Sequence, residues 1–144
     1  MMKISTKGRY ALRVMIDLAE NYTGDYIPLK DIAHRQDISE KYLESIISML
    51  TKANFLTGLR GKGGGYKLTR NPDQYTVGSI LKTTEGSIAP VSCLDCKPNT
   101  CDRAGDCRTL PMWEKLYTMI DEYFEGITLI DLIAGDNGGD NYVI

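Results

Sequence analysis

Apolar residues return every three or four positions along the first twenty residues. Tyr10, Ala11, Val14, Met15, Leu18 and Ala19 fall on one stripe, and the spacing predicts an amphipathic helix from Ile4 to Asn21, closed by Thr23-Gly24-Asp25. The next thirty residues keep this period but break it once. Leu29, Ile32 and Ala33 form a short face, Gln36 to Ile38 interrupts it, and Ser39 offers an N-cap to a second helix with Tyr42, Leu43, Ile46, Ile47, Met49 and Leu50 on its apolar side. A short helix, a tight turn and a longer helix describe a helix-turn-helix, with Ala33 small enough to let the two helices approach.

The period then shortens to two. Phe55, Thr57 and Leu59 alternate with polar or small residues, as do the residues from Tyr66 to Thr69, and the stretch LRGKGGGYKL puts four glycines and three cations into ten residues. Two short strands and a glycine-rich tip predict a β-hairpin. Its tip suits three roles: a nucleotide-phosphate loop, a plain structural turn, or a DNA contact. A nucleotide loop would follow a buried strand and open a helix, and Tyr66 stands where the dinucleotide fingerprint needs its last glycine. A hairpin directly after a helix-turn-helix is the winged-helix arrangement, which favours the DNA contact. Arg60 and Lys62 can reach a minor groove or phosphates, and glycines such as Gly63 and Gly64 let the backbone follow.

Beyond Pro72 to Tyr75, read as a turn, Val77, Ile80 and Leu81 mark a short helix. The stretch from Ser87 to Thr109 has no period and would lack order without an organising centre. From about Arg108 a long helix carries Met112, Leu116, Met119, Ile120, Tyr123 and Ile127 in one stripe, with Trp113 and Phe124 beside it. So broad a stripe predicts a dimerisation helix, the alternative being packing back on its own domain. Thr128 caps a last short turn, and the tail from Asp136 is expected to be disordered. The expected fold class is mainly α with a small β-hairpin wing. A winged helix-turn-helix DNA-binding domain covers 1–75, a connecting helix and cysteine-rich loop 76–109, a dimerisation helix and short terminal helix 110–134, and a tail 135–144.

Composition fits one compact domain or a small domain plus a partner-dependent extension: 144 residues, 42% hydrophobic and 25% charged. No apolar run reaches the length of about eighteen residues that suggests a membrane span, and MMKISTKGRY holds no signal-peptide apolar core, so the expectation is a cytoplasmic protein without a membrane partner. The net charge of −2 conceals an asymmetry. Residues 1–75 hold 12 Lys+Arg against 8 Asp+Glu, a net of +4, and residues 76–144 hold 5 against 11, a net of −6. A basic first half suits a nucleic-acid module.

Charge also sharpens the candidate interface. Lys3, Lys7, Arg9 and Arg13 crowd the start of the first helix, the unfavourable end for cations, and an external anion would explain them as well as solvation does. On the second helix of the helix-turn-helix, Ser39, Glu40, Lys41, Glu44, Ser45 and Ser48 hold the polar positions, and its N-terminal half would meet base edges. Glu44 is unusual there: it is either solvated or a hydrogen-bond acceptor, for example for a cytosine amino group. The expected DNA-contacting set is Lys3, Lys7, Arg9, Tyr10, Ser39, Lys41, Tyr42, Glu44, Ser45, Arg60, Lys62, Gly63 and Gly64.

All four cysteines fall between Cys93 and Cys107, spaced Cys93-x2-Cys96-x4-Cys101-x5-Cys107. Such clustering in an intracellular chain favours metal or redox chemistry over a disulfide framework. Only the first pair is close, so an iron-sulfur cluster fits better than structural zinc, and a thiol-disulfide switch stays open. His34 is the single histidine, and no nucleophile elbow or paired-carboxylate signature stands out, so an enzyme is not expected.

The stretches MKISTKGRYALRVMIDLA, IPLKDIAHRQDISEKYLESIISML and GLRGKGGGYKLTR, followed by a cysteine loop and a long helix, closely resemble the Rrf-two family of bacterial winged-helix regulators over about residues 2–134. The resemblance is strongest to its IscR-like, cluster-binding members. It implies a homodimeric transcription factor, expected to repress, that binds a palindromic operator in double-stranded DNA, with a cysteine-ligated iron-sulfur cluster near the dimer interface. The 2Fe-2S form is favoured and 4Fe-4S is possible. Glu44 matches the glutamate that tunes operator choice in IscR-like proteins, and Arg60 the wing arginine that enters the minor groove. The IscR-like pattern has three cysteines separated by five residues each and a histidine three residues beyond the last. Here seven residues separate Cys93 from Cys101, Leu110 holds the histidine position, and Cys96 is the substitute that would make an all-cysteine site. The acidic N-terminal ligand of NsrR-like members is replaced by the neighbourhood of Lys7 and Gly8. The alternative within the family is a CymR-like regulator of cysteine or sulfur metabolism, controlled by a partner enzyme or by thiol oxidation, without a cluster.

Overall fold

A computed structural model describes residues 3–95 and 105–135. Cys96, Cys101 and the tail from Asp136 lie outside the described residues. The architecture is mainly helical with one antiparallel strand pair. Helix α1 runs Thr6–Glu20, α2 Leu29–Gln36 and α3 Glu40–Lys52; strands β1 Leu56–Leu59 and β2 Gly65–Leu68 form the hairpin. After a 3₁₀ turn at Pro72–Gln74 come α4 Val77–Glu85, a second such turn at Ser92–Leu94, α5 Leu110–Glu125 and α6 Leu129–Ile133.

Local chemistry sets the boundaries. Ser5, Ser39, Thr76 and Thr128 each accept a backbone N–H from the first turn of the following helix, which is why α1, α3, α4 and α6 begin where they do. The first helix is therefore shorter than the stripe from Ile4 to Asn21 suggests. Between α2 and α3 the chain reverses through Asp37 at φ +54, a left-handed cap that a short polar side chain tolerates.

The main core joins Ala11, Val14, Met15 and Leu18 of α1 to Ile32 of α2, Leu43, Ile46, Ile47 and Leu50 of α3, and Leu56 and Leu68 of the hairpin. Ile80 of α4 and Leu129 of α6, both fully buried, complete it. A second cluster forms around Val77, Leu81 and Ile88, and receives Tyr117, Ile120 and Phe124 from α5 together with Ile127.

That second cluster divides the apolar stripe expected on α5. Tyr117, Ile120, Phe124 and the following Ile127 pack inward, whereas Met112, Met119 and Tyr123 remain 53%, 55% and 55% exposed. Residues 112, 116, 119 and 123 repeat at helical spacing one step away from the inward row, so one helix carries two neighbouring apolar faces. The inward face is packing back on the chain's own fold, and the outward face has no partner among the described residues.

Candidate nucleic-acid interface

Helix α3 buries Leu43, Ile46, Ile47 and Leu50 and exposes Glu40, Lys41, Glu44, Ser45 and Ser48. Its two serines near the N-terminus have different capacities. The Ser39 hydroxyl accepts the Tyr42 N–H at 3.2 Å, so its own proton is available to an acceptor. The Ser45 hydroxyl donates to the Tyr42 carbonyl at 2.7 Å, so its lone pairs are available to a donor. Lys41 and Glu44 enter no ion pair among the described residues.

Tyr42 is half-buried and meets Tyr10 of α1 edge-on, with centroids 5.7 Å apart. The Arg13 guanidinium lies 4.9 Å over the Tyr10 ring and also donates to the Gln36 side chain at 3.2 Å and to the Gln36 carbonyl. Lys7, Tyr10 and Arg13, spaced by three, share one side of α1, and the tyrosine pair sets that side beside the start of α3. Lys3 and Arg9 are exposed close by, Arg9 donating to Thr6 at 3.3 Å. An anion does stand at this helix start, and it is internal: Glu85, the last residue of α4, accepts the Ser5 N–H at 2.6 Å.

The wing pairs Leu56 with Leu68, Thr57 with Lys67, Gly58 with Tyr66 and Leu59 with Gly65. Ile27 joins as a third short partner, exchanging hydrogen bonds of 2.9 and 2.8 Å with Tyr66. Two kinds of glycine shape the turn. Gly61 and Gly63 take φ of +91 and +78 in open space, whereas a Cβ at Gly65 would collide with the Ile27 carbonyl. Arg60, Lys62 and Gly63 are exposed at the tip, and Gly64 is half-buried. At the base, the Tyr75 hydroxyl donates to the Phe55 carbonyl at 2.8 Å and accepts the Thr69 and Arg70 N–H groups, each at 3.0 Å. The hairpin is thus fastened at its root and exposed at its end.

Asp17, 2% exposed, ties α1 to the helix-turn-helix. It accepts two bonds from Arg35 at 2.9 and 2.8 Å and one from the Gln36 amide at 2.9 Å. The paired carboxylate raises the Arg35 pKa above the ordinary arginine value, chiefly through these side-chain hydrogen bonds. The charge is buried but fully partnered, as a buried charge must be.

The cysteine region is described only in part. Cys93 follows the start of the second 3₁₀ turn, and Cys107 stands three residues before α5; both are half-buried free thiols. The Cys107 sulfur lies 3.4 Å from the Thr109 hydroxyl. That contact, and with it the backbone N–H groups of Thr109 and Leu110 at the start of α5, lowers its pKa and favours the thiolate. Among the described residues no three His, Cys, Asp or Glu side chains converge on a metal position.

The structure thus brings the expected residues of α1 and α3 onto adjoining surfaces and holds Arg60 and Lys62 out on the wing. Sequence reading passed over Asp17, whose signal was an acidic residue inside an apolar stripe, between Val14 and Leu18. It also passed over Lys30, which lines a groove of about 590 Å³ between the wing, the start of α2 and α3. No helix among the described residues is long and apolar enough to cross a membrane.

A family model described as Rrf2, iron-dependent transcriptional regulator, matches residues 4–135. The transcriptional regulator CymR of Bacillus subtilis is 39% identical over 137 residues, covering 95% of this chain and 94% of its own. Its solved structure, described as that of the global cysteine regulator of that organism, superposes with a TM-score of 0.76 at 37% identity, over 93% of this chain and 98% of that one. The regulator IscR of Aliivibrio salmonicida is 36% identical over 133 residues, 92% of this chain and 78% of its own. The structure of T. potens IscR gives a TM-score of 0.74 at 37% identity, over 93% and 88% of the two chains.

Proposed function

The chain belongs to the Rrf2 family of winged-helix, DNA-binding transcriptional regulators, which are not enzymes, and on that premise we propose that it is a homodimer whose cysteine segment holds an iron-sulfur cluster controlling operator binding. The observation that carries this reading is Cys107. One of four cysteines in a fifteen-residue window, it is a half-buried free thiol 3.4 Å from the Thr109 hydroxyl, three residues before α5, the helix that also exposes Met112, Met119 and Tyr123. Thiolates are the ligands such clusters take, so the donor chemistry of Cys107 fits the group. Cys93, Cys96 and Cys101 would supply the remaining sulfurs.

In this reading α3 enters the major groove and the wing the adjacent minor groove. Ser39 and Ser45 offer opposite hydrogen-bonding capacities to base edges or phosphates, and Lys41 adds charge. Glu44 accepts from a base amino group. Lys3, Lys7, Arg9, Tyr10 and Tyr42 line the adjoining surface of α1 and α3, while Arg60, Lys62, Gly63 and Gly64 follow the backbone at the wing. Met112, Met119 and Tyr123 pair subunits across a two-fold axis, which matches a palindromic operator. Held by Cys93, Cys96, Cys101 and Cys107, such a cluster would supply a redox- and oxidant-sensitive charge. Gain or loss of the cluster alters regulation only to the extent that the two states differ in operator affinity.

A second reading, a regulator without a cluster that is switched by thiol oxidation or a partner enzyme, is favoured by the likeness to Bacillus subtilis CymR, 39% identical in sequence and superposing with a TM-score of 0.76, which is as near as the IscR relatives. Purification without oxygen decides between them. Visible absorption with near-equal iron and acid-labile sulfide, lost in Cys107→Ala, is the expected result. A colourless protein after anaerobic reconstitution would transfer the assignment to the second reading.

A further inference from the structure

We infer that, in the groove between the wing and helices α2 and α3 through which winged-helix docking passes one sugar-phosphate strand, Lys30 is a phosphate contact and Glu40 an opposing charge that limits affinity. The inference rests on the family's DNA binding and assigns roles to two residues outside the candidate set. Major and minor grooves are separated by a single backbone strand. A protein that sets a helix in one and a wing in the next must pass that strand between the two elements.

The geometry supplies such a passage. Lys30 and Glu40 stand on the helical side of the groove, with Thr51 farther along α3, and Leu59, Arg60 and Tyr66 stand on the wing side. None of these charged side chains enters an ion pair among the described residues. Leu59 is 49% exposed, an uneconomical placement for leucine in the free protein. Facing a backbone strand it meets the carbon face of a deoxyribose while the flanking cations meet phosphates, so apolar and cationic lining follow the alternation of sugar and phosphate. Both walls are held firmly. Asp17 fixes α2 through Arg35 and Gln36, and the exchanged hydrogen bonds of Ile27 and Tyr66 tie the wing to the segment entering α2. Glu40 places a carboxylate in the same passage, where it repels each phosphate and offsets part of the attraction of Lys30.

The test uses the full chain and a random-sequence duplex of about 30 base pairs, with binding followed by fluorescence anisotropy from low salt to roughly 0.2 M. Lys30→Ala is expected to weaken binding several-fold at low salt and to reduce the magnitude of the log affinity against log salt slope by about 0.9, the share of one phosphate contact. Glu40→Gln is expected to strengthen binding, even though loss of an acidic group from the first turn of α3 makes the helix slightly less stable. The opposite directions of affinity and thermal midpoint separate a groove charge from a folding effect. Wild-type binding with Lys30→Ala unchanged in affinity and slope, or with Glu40→Gln unchanged or weaker, would overturn the assignment. Failure of the wild-type chain to bind the duplex at low salt would instead overturn DNA binding itself, and the groove with it.

Discussion

Asp17 and Arg35 form a two-pronged ion pair, at 2.9 and 2.8 Å, in which the carboxylate is 2% exposed and the guanidinium side chain 38%. The asymmetry determines what each partner loses when the other is removed. Arg35 can turn to water, while a lone Asp17 would stay buried as a charge. Gln36 completes the set, and through Arg13 the same residue touches the α1 face bearing Tyr10.

Asp17→Ala therefore strands the Gln36 amide and frees Arg35 to hydrate, at an expected cost of about 2 to 3 kcal/mol. Arg35→Ala leaves the buried carboxylate with Gln36 as its one remaining side-chain partner and is expected to cost more, about 3 to 5 kcal/mol. Urea unfolding followed by circular dichroism checks the order; equal costs, or a smaller cost for Arg35→Ala, would contradict it.

The fold was legible where one period dominates. Stripes in α1 and α3, a serine cap before α3 and glycines after β1 are local signals, and they led directly to a helix-turn-helix with a wing. Asp17 was not legible, because burial of a charge depends on Arg35, eighteen residues away in sequence. The two faces of α5 were merged for a related reason: the rows through 119 and 120 are centred only about 90 to 100° apart on a helical wheel and join into one broad stripe, and only the position of Val77 and Leu81 decides that Ile120 turns inward. Likewise Glu85 at the start of α1 is a meeting of distant residues that periodicity does not encode. The cysteine spacing was plain in the sequence, but Cys107's hydrogen bonding required the start of α5 to be in place.

The wing glycines should separate by mechanism. Gly61→Ala meets no atom but must hold φ +91, costing about 1 kcal/mol. Gly65→Ala adds to an unfavourable backbone angle a collision with the Ile27 carbonyl, and is expected to cost about 2 kcal/mol or more. Amide hydrogen exchange at Ile27 and Tyr66 should accelerate in the second variant and stay unchanged in the first.

Glu125 carries a pH signature. Hydrogen bonds from Lys82, at 2.8 Å, and then from the Thr76 hydroxyl, at 2.7 Å, hold its pKa below the ordinary glutamate value. A depressed carboxyl stabilises the fold above its unfolded pKa, about 4.3, and loses that contribution as pH falls through the lower folded value. Both side chains are more than a third exposed, so the effect at pH 7 is small, about 0.5 kcal/mol. The stability gap between wild type and Glu125→Gln should close on acidification below about pH 4.3; a gap that persists unchanged in acid would assign it to packing.

Met119, 55% exposed on the outer row of α5, is the substitution site for self-association. Met119→Glu places a charge in the proposed subunit interface and is expected to weaken dimerisation at least about tenfold, or 1.4 kcal/mol. Sedimentation velocity reads this directly, with helical content preserved because the side chain lies outside both core clusters. Unchanged association would place the subunit contact elsewhere.

Helix α4 is fastened to two neighbours through carboxylates, one received from α5 and one of its own. Thr76 at its N-cap and Lys82 in its last turn hold Glu125 of α5, and Glu85 at its finish holds the Ser5 amide before α1. Gly78 and Gly8 are the points of closest passage, where a methyl group would strike those two carboxylates. Such a helix behaves as a tie rod. Tilting α5 strains one fastening and shifting the first turn of α1 strains the other, so the two helices share one mechanical constraint, and the two glycines are its bearings.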